Sequence, residues 1–390
     1  MSDSLDEARL EAELTSILGH LIALPSDFPP GDTRKICNYA AERFSRAGYE
    51  TVLPMAIEPI ANVVARSGIG KPCVVFNAHA DTVGVSNPGN WETDPLRSEI
   101  RDGRVYGLGA ANCKASMAVH LWLAEEVARR GGPKKGELVF TFAGDEEDLG
   151  PNGTCHLRQS GLVKPDILIV GATTDNQLIT AERGVLWVRI TAKGQAAHAG
   201  DPASGDNAIE RMMRLLAAVQ RQVFSQLGER SDGDMKSTFN IGTIRGGHNL
   251  NVVPSECAVE IDRRLLPDEP VDEAFEEIQR ALDAAGEPGA SFAVEWLRGT
   301  NGFKGAEDGR GVGAFRTAIE ARTGSAARFL TPVGAYDGRY FADDGIEIIN
   351  VGPGTGSEGH AANESVSVMQ LVDAAVIHFD VVKKLLGLNG

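Results

Sequence analysis

The chain has 390 residues, 42% hydrophobic and 24% charged, with a formal net charge of -16. Those values fit a globular protein of about two domains. The acidic balance argues against a nucleic-acid or anionic-membrane partner, since both need a basic surface.

The five cysteines, Cys37, Cys73, Cys113, Cys155 and Cys257, are odd in number, widely spaced and without a C-x-x-C pair. They read as reduced thiols of a cytoplasmic protein rather than a disulfide framework. The acidic, amphipathic start lacks the apolar core of a signal peptide, and no stretch reaches the roughly 18 apolar residues of a membrane span.

Residues 5–24 predict a helix with Leu10, Leu14, Ile17, Leu18 and Leu21 on one face. A loop over 25–32 leads to a second helix, about 32–47, that Gly48 stops. Short strands are expected near 49–53 and 62–66. The apolar strand Cys73–Asn77 then runs into His79 and Asp81. These two are two residues apart at a strand end and point the same way, as a carboxylate holding the second nitrogen of a metal-bound imidazole would. The competing reading is a histidine that only packs. Gly107 to Lys114 opens a helix to about 130, with Asn112 at a natural N-cap position.

The strand 138–143 ends at Gly144-Asp145-Glu146-Glu147-Asp148. Four adjacent carboxylates repel one another. They are either a solvated turn or a cluster kept for a cation, or for one carboxyl of raised pKa. A helix over 152–160 and strands over 166–170 and 346–351 continue the pattern. Short apolar strands alternating with helices indicate an α/β domain with a mostly parallel sheet. In such sheets ligands gather at the carboxyl ends of strands. His79, Asn112, Glu146, Glu147 and His360 fall at such ends or just after them.

Residues 184–297 read as strand 184–193, helix 206–226, strands 237–244 and 256–264, helix 271–285 and strand 291–297. That βαββαβ order is a ferredoxin-like unit. The expected organisation is a first catalytic part at 1–182, an inserted lid or dimerisation domain at 183–298, and a second catalytic part at 299–390. The insert is expected to close over the site.

Several short motifs recur in order: His79-Ala80-Asp81, Gly107 to Lys114, Asp145-Glu146-Glu147, and Gly194 to Gly200 with Asn207-Ala208-Ile209. Asn251-Val252-Val253-Pro254 with Asp262-Arg263-Arg264, and His360 with Asn363-Glu364, complete the series. Each is weak alone. Together, and over nearly the whole chain, they resemble the co-catalytic zinc aminoacylase/carboxypeptidase family. That family includes acetylornithine deacetylase, succinyl-diaminopimelate desuccinylase and glutamate carboxypeptidase. The resemblance implies a zinc-exopeptidase-like catalytic domain, with helices on both faces of the sheet.

It also implies roles. A first metal would be held by His79, a bridging Asp and a Glu in a Gly-Glu-Pro-Thr-like turn. A second would be held by the same Asp, Glu147 and His360. Glu146 would be the general base for a metal-bound water, and Asp81 would orient His79. His198, often reaching a neighbouring subunit's site, would stabilise developing negative charge. Arg264, with Arg183 and Asn251, would hold a substrate carboxylate. A homodimer or larger assembly follows from the same resemblance.

Two positions depart from that pattern. Asn112 stands where the bridging Asp belongs, and Ala172 where the turn Glu belongs. Both losses fall on the first metal, since divalent ions need imidazole or charged oxygen ligands. One weakly held ion, manganese or zinc, is therefore expected on Glu147, His360 and the Asn112 carbonyl, with Asp175 a candidate replacement ligand.

Retention of Glu146, His198 and Arg264 points to a retuned enzyme rather than a decayed one. The expected reaction is metal-dependent hydrolysis of a C–N bond in a small carboxylate-bearing substrate. The most specific expectation is an aminohydrolase that releases ammonia from an electron-poor aromatic amine, 5-nitroanthranilate to 5-nitrosalicylate, by metal-hydroxide attack on the ring. The depleted ligand set resembles the 5-nitroanthranilic acid aminohydrolase branch of the family. The alternatives are cleavage of an N-acyl amino acid or small peptide, and a catalytically silent small-molecule binder. Asp337-Gly338-Arg339 is similar to the family's Asp-x-Arg stretch and reads as structural or substrate-facing. His20, His120 and His156 read as structural, and His248 as a loop histidine.

Overall fold

The strand Cys73–His79 is the axis of the first half of the molecule, and all seven of its residues are buried. In the computed structural model, which describes residues 6–85, 88–332 and 334–388, it pairs in parallel with Gly136–Ala143 on one side and Ile167–Val170 on the other. Position 5 of the predicted first helix lies outside the described residues. The full sheet runs Glu347–Asn350, Ile167–Val170, Cys73–His79, Gly136–Ala143, Val63–Ile69, Glu50–Val52. Its first four strands are parallel, and Val63–Ile69 runs antiparallel to both of its neighbours. The central strands read as unbroken apolar runs because both their faces are covered.

The helices Glu7–Ile22, Arg34–Arg46, Lys114–Arg129, Arg310–Thr323 and Val368–Leu386 supply side chains to one core with this sheet. Leu10, Leu14, Ile17, Leu18 and Leu21 are buried on the first helix, and the Asp6 side chain accepts the Arg9 N–H as its cap. Each such side chain contributes about 1.5–3 kcal/mol when fully buried. Gly48, at φ +87°, follows the end of the second helix as the predicted stop.

The third helix corrects one expectation. It begins at Lys114 with Cys113 at its N-cap and no side-chain cap bond. Asn112 is therefore not spent on capping, and its amide is left for other partners.

The chain forms two compact units, one of residues up to Thr180 together with those from Gly305, the other Ala181–Lys304. The second unit is an antiparallel sheet in the order Thr238–Gly246, Glu256–Leu265, Gly184–Lys193, Phe292–Thr300. Helices Ala208–Val219 and Val271–Asp283 share its core. The predicted 206–226 helix is broken: after Val219 the chain takes a π-helical turn over Gln220–Phe224 and one short α turn, Ser225–Leu227. Among the described residues no helix is long and apolar enough to cross a membrane.

Candidate active site

The Cys73–His79 strand delivers the His79 ring, 6% exposed, at its carboxyl end. Nδ1 lies 2.9 Å from the Asp81 main-chain oxygen but 3.6 Å from Asp81 Oδ1. The orienting bond expected from the Asp81 carboxylate is therefore made by its carbonyl. The carboxylate acts one step away, where Oδ2 accepts the Glu147 N–H at 3.0 Å. Asp81 ties the end of one strand to the turn that follows its neighbour.

That turn divides its carboxylates by role. Asp145 adopts φ +65° and accepts the Asn152 N–H at 2.9 Å and the Asn152 Nδ2 at 2.7 Å. It folds the turn. Glu146 and Glu147 face His79, and ligand atoms of the three lie within 4.8 Å of one another.

Asn112 closes the site from the opposite side. Its Oδ1 is 3.2 Å from His79 Nε2. Its Nδ2 is 3.2 Å from Glu147 Oε1 and 3.0 Å from His360 Nε2. His360 Nε2 is itself 3.1 Å from Glu147 Oε1, and that hydrogen bond raises the His360 pKa. With the amide in this orientation each His79 ring nitrogen faces a carbonyl oxygen, an arrangement that favours the charged imidazole. Burial opposes that charge. The Cys113 thiol, Glu146 and Asp81 outweigh it and hold the imidazole well above its ordinary pKa.

Asn112 is positioned by a residue that sequence reasoning left inside a motif without a role. The Glu364 carboxylate, 2% exposed, accepts the main-chain N–H of Gly109, Ala111 and Asn112 at 2.9, 3.0 and 2.8 Å.

Behind Glu146 stands Arg339, whose Nη1 lies 3.4 Å from Glu146 Oε1. Nη2 donates to the Tyr340 hydroxyl at 3.2 Å, and that hydroxyl donates to the Gly150 carbonyl at 2.7 Å. Asp337, 3.9 Å from the same guanidinium, accepts from Thr154 Oγ1 at 2.6 Å. The Asp-x-Arg stretch is thus a buried brace on the acidic turn. Burial pushes Glu146 up to about 7, while His79 and Arg339 pull it down.

Ala172 is buried and offers no ligand atom. Asp175 does not replace the missing Glu: its Oδ1 accepts from Gln370 Nε2, its Oδ2 lies 3.6 Å from Arg328, and it is absent from the His79–Glu146–Glu147 cluster. The expected set of Glu147, His360 and the Asn112 carbonyl is also modified, because Asn112 turns its oxygen to His79 and its nitrogen to the other two. One imidazole and two carboxylates suit a single divalent ion.

His198, Arg183, Arg264 and Asn251 belong to the second unit. His198 is exposed, and its Nδ1 accepts the Gly200 N–H at 3.0 Å. Asn251 is exposed. Arg264 pairs through Nε and Nη2 with the Asp262 carboxylate, both at 2.8 Å. Burial, and then the charge of Arg264, lower the Arg183 pKa.

Residues 180–290 match the peptidase dimerisation domain, M20_dimer. The uncharacterised Escherichia coli K12 protein YgeY is 30% identical over 393 residues, covering 94% of this chain and 93% of its own. Succinyl-diaminopimelate desuccinylase from Bordetella avium is 30% identical over 358 residues, covering 89% and 92%. Among solved structures, the M20 family metallo-carboxypeptidase Sso-CP2 from Sulfolobus solfataricus superposes with a TM-score of 0.81 at 18% identity, covering 96% of this chain and 99% of that one. This chain belongs to the M20 family of metal-dependent hydrolases acting on amide and peptide C–N bonds, the zinc aminoacylase/carboxypeptidase family.

Proposed function

We propose that this protein hydrolyses a C–N bond in a small carboxylate-bearing substrate, with one divalent ion, zinc or manganese, held by His79, Glu147 and His360. The observation that carries the reading is the His79–Glu146–Glu147 cluster, in a site where Asn112 and Ala172 replace two anionic ligands. When bound, such an ion polarises the electrophile and makes water a better nucleophile at neutral pH.

The remaining roles fall to the chain itself. Glu146, buried and titrating at about 7, takes the proton of the attacking water, and Arg339 fixes the direction its carboxylate faces. Asp81 and Glu364 hold the two sides of the site in register. Arg183, Arg264 and Asn251 hold the substrate carboxylate, and His198 stabilises developing negative charge.

The substrate that best suits a single ion is an electron-poor aromatic amine bearing a carboxylate, such as 5-nitroanthranilate. Water adds at the ring carbon as Glu146 takes its proton, negative charge spreads into the ring, and Glu146 returns the proton to the amine, which leaves as ammonia while the phenol forms. No carbonyl oxygen then requires a second ion. Cleavage of an N-acyl amino acid is the second reading, favoured by the desuccinylases among the relatives. The working unit is a homodimer. Support comes from the dimerisation-domain match and from the edge strand Thr238–Gly246, which exposes Ile241 and Ile244.

Assay of the purified protein with added zinc or manganese on 5-nitroanthranilate and on N-succinyl and N-acetyl amino acids separates these readings. Turnover of the first supports the aminohydrolase. Turnover of the acyl substrates alone removes the aromatic reading. Inactivity on a wide panel, with ligand binding retained in Glu146→Ala, identifies a silent binder.

A further inference from the structure

Asn112 touches three of the groups that surround the candidate ion. Its oxygen faces His79, and its nitrogen faces both Glu147 and His360, all within 3.2 Å. The contacts to His79 and Glu147 are hydrogen bonds, whereas His360 Nε2 gives its hydrogen to Glu147 and only packs against the amide. The three contacts span the side chains a divalent ion would otherwise draw together. The main chain beneath is fixed, since Glu364 accepts the N–H groups of Gly109, Ala111 and Asn112.

An aspartate at this position would face Glu147 and Glu146 as a third carboxylate and would need a cation to stay there. An amide at the same position brings no charge and donates to Glu147. We propose that the Asn112 side chain is a built-in neutral bridge that keeps the ligand cage assembled without an ion, so that metal binding competes with the bridge instead of creating the cage. This rests on the single-ion reading above. It adds what replaces the missing charge and why the ion is held weakly.

The test uses the full-length chain, zinc competition against a chromophoric chelator, and thermal unfolding with and without EDTA. Wild-type protein is expected to melt at the same temperature in both conditions. Asn112→Asp should bind zinc more tightly, by at least the roughly 10–100-fold that even an outer contact of a metal ligand contributes. Its melting temperature should fall in EDTA. Asn112→Ala should melt below wild type in EDTA and recover when zinc is added.

A wild-type melting temperature that drops in EDTA as far as that of Asn112→Asp overturns the proposal. So does wild-type zinc affinity in Asn112→Asp. The wild-type comparison stands even where a variant fails to fold. None of these readouts needs turnover, so an inactive protein with a chelator-resistant cage sinks the hydrolase reading alone, and an active one with a chelator-labile cage sinks the bridge alone.

Discussion

The Arg339 guanidinium lies 3.4 Å from the Glu146 carboxylate, and both side chains are largely withdrawn from water. A buried cation against the proposed base fixes the base's orientation and favours its charged form. Arg339 is too buried to reach substrate, so its removal should act on kcat and leave KM nearly unchanged. Arg339→Met is expected to lower kcat roughly 10-fold or more, within the 10²–10⁴-fold that a positioned base contributes, with partial recovery in Arg339→Lys. The sign of the pH effect follows: without the cation the Glu146 pKa rises, so the acid limb of the pH–rate profile moves to higher pH. The same variant leaves Asp337 and Glu146 uncompensated, and denaturant unfolding should show a loss of about 3–5 kcal/mol.

Glu146→Gln tests the base without disturbing the brace geometry. Steady-state kinetics should show kcat down by roughly 10²–10⁴, with the unfolding midpoint close to wild type. Retained activity would move the proton-accepting role to another residue.

Glu364→Ala removes the acceptor shared by Gly109, Ala111 and Asn112. Leaving buried N–H groups unpaired costs about 1–3 kcal/mol, which an equilibrium unfolding curve resolves. Because Asn112 loses its anchor, zinc affinity should change in the same variant.

His120 and His378 meet in the core with ring centroids 5.6 Å apart, packed by Phe76, Phe142 and Phe315. Their ring nitrogens have no hydrogen-bond partner among the described residues. Burial lowers both pKa values, that of His378 to about 3. The unfolded chain therefore takes up protons first as pH falls. Stability is full above about 6.5 and is lost below it, by up to about 1.4 kcal/mol per pH unit for each histidine. His378→Leu should flatten that slope in unfolding curves measured between pH 7 and pH 4, whatever it does to stability at neutral pH.

Much of this site was legible in the chain because its parts lie at strand ends. Apolar runs stopping at His79-Ala80-Asp81 and at Asp145-Glu146-Glu147 mark where a parallel sheet gathers its ligands. What was not legible depends on contacts between distant segments. Nothing near Arg339 in sequence says that it meets Glu146, and nothing near Glu364 says that it holds the Asn112 loop. Asp81 was read for the right neighbourhood and the wrong atom, because two-residue spacing cannot separate a carbonyl from a carboxylate. Asn112 reads as a cap since asparagine prefers that position, whereas the helix starts one residue too late for it. The helix Val368–Leu386 is buried around much of its circumference, so it lacks the one-sided periodicity that reveals a helix.

The most direct test is a metal count on protein equilibrated in modest zinc and then crystallised. The account predicts one ion per chain, touching His79 and Glu147, and lost on dialysis. Two fully occupied ions about 3.5–4 Å apart would contradict it and restore ordinary two-ion peptide cleavage as the better description.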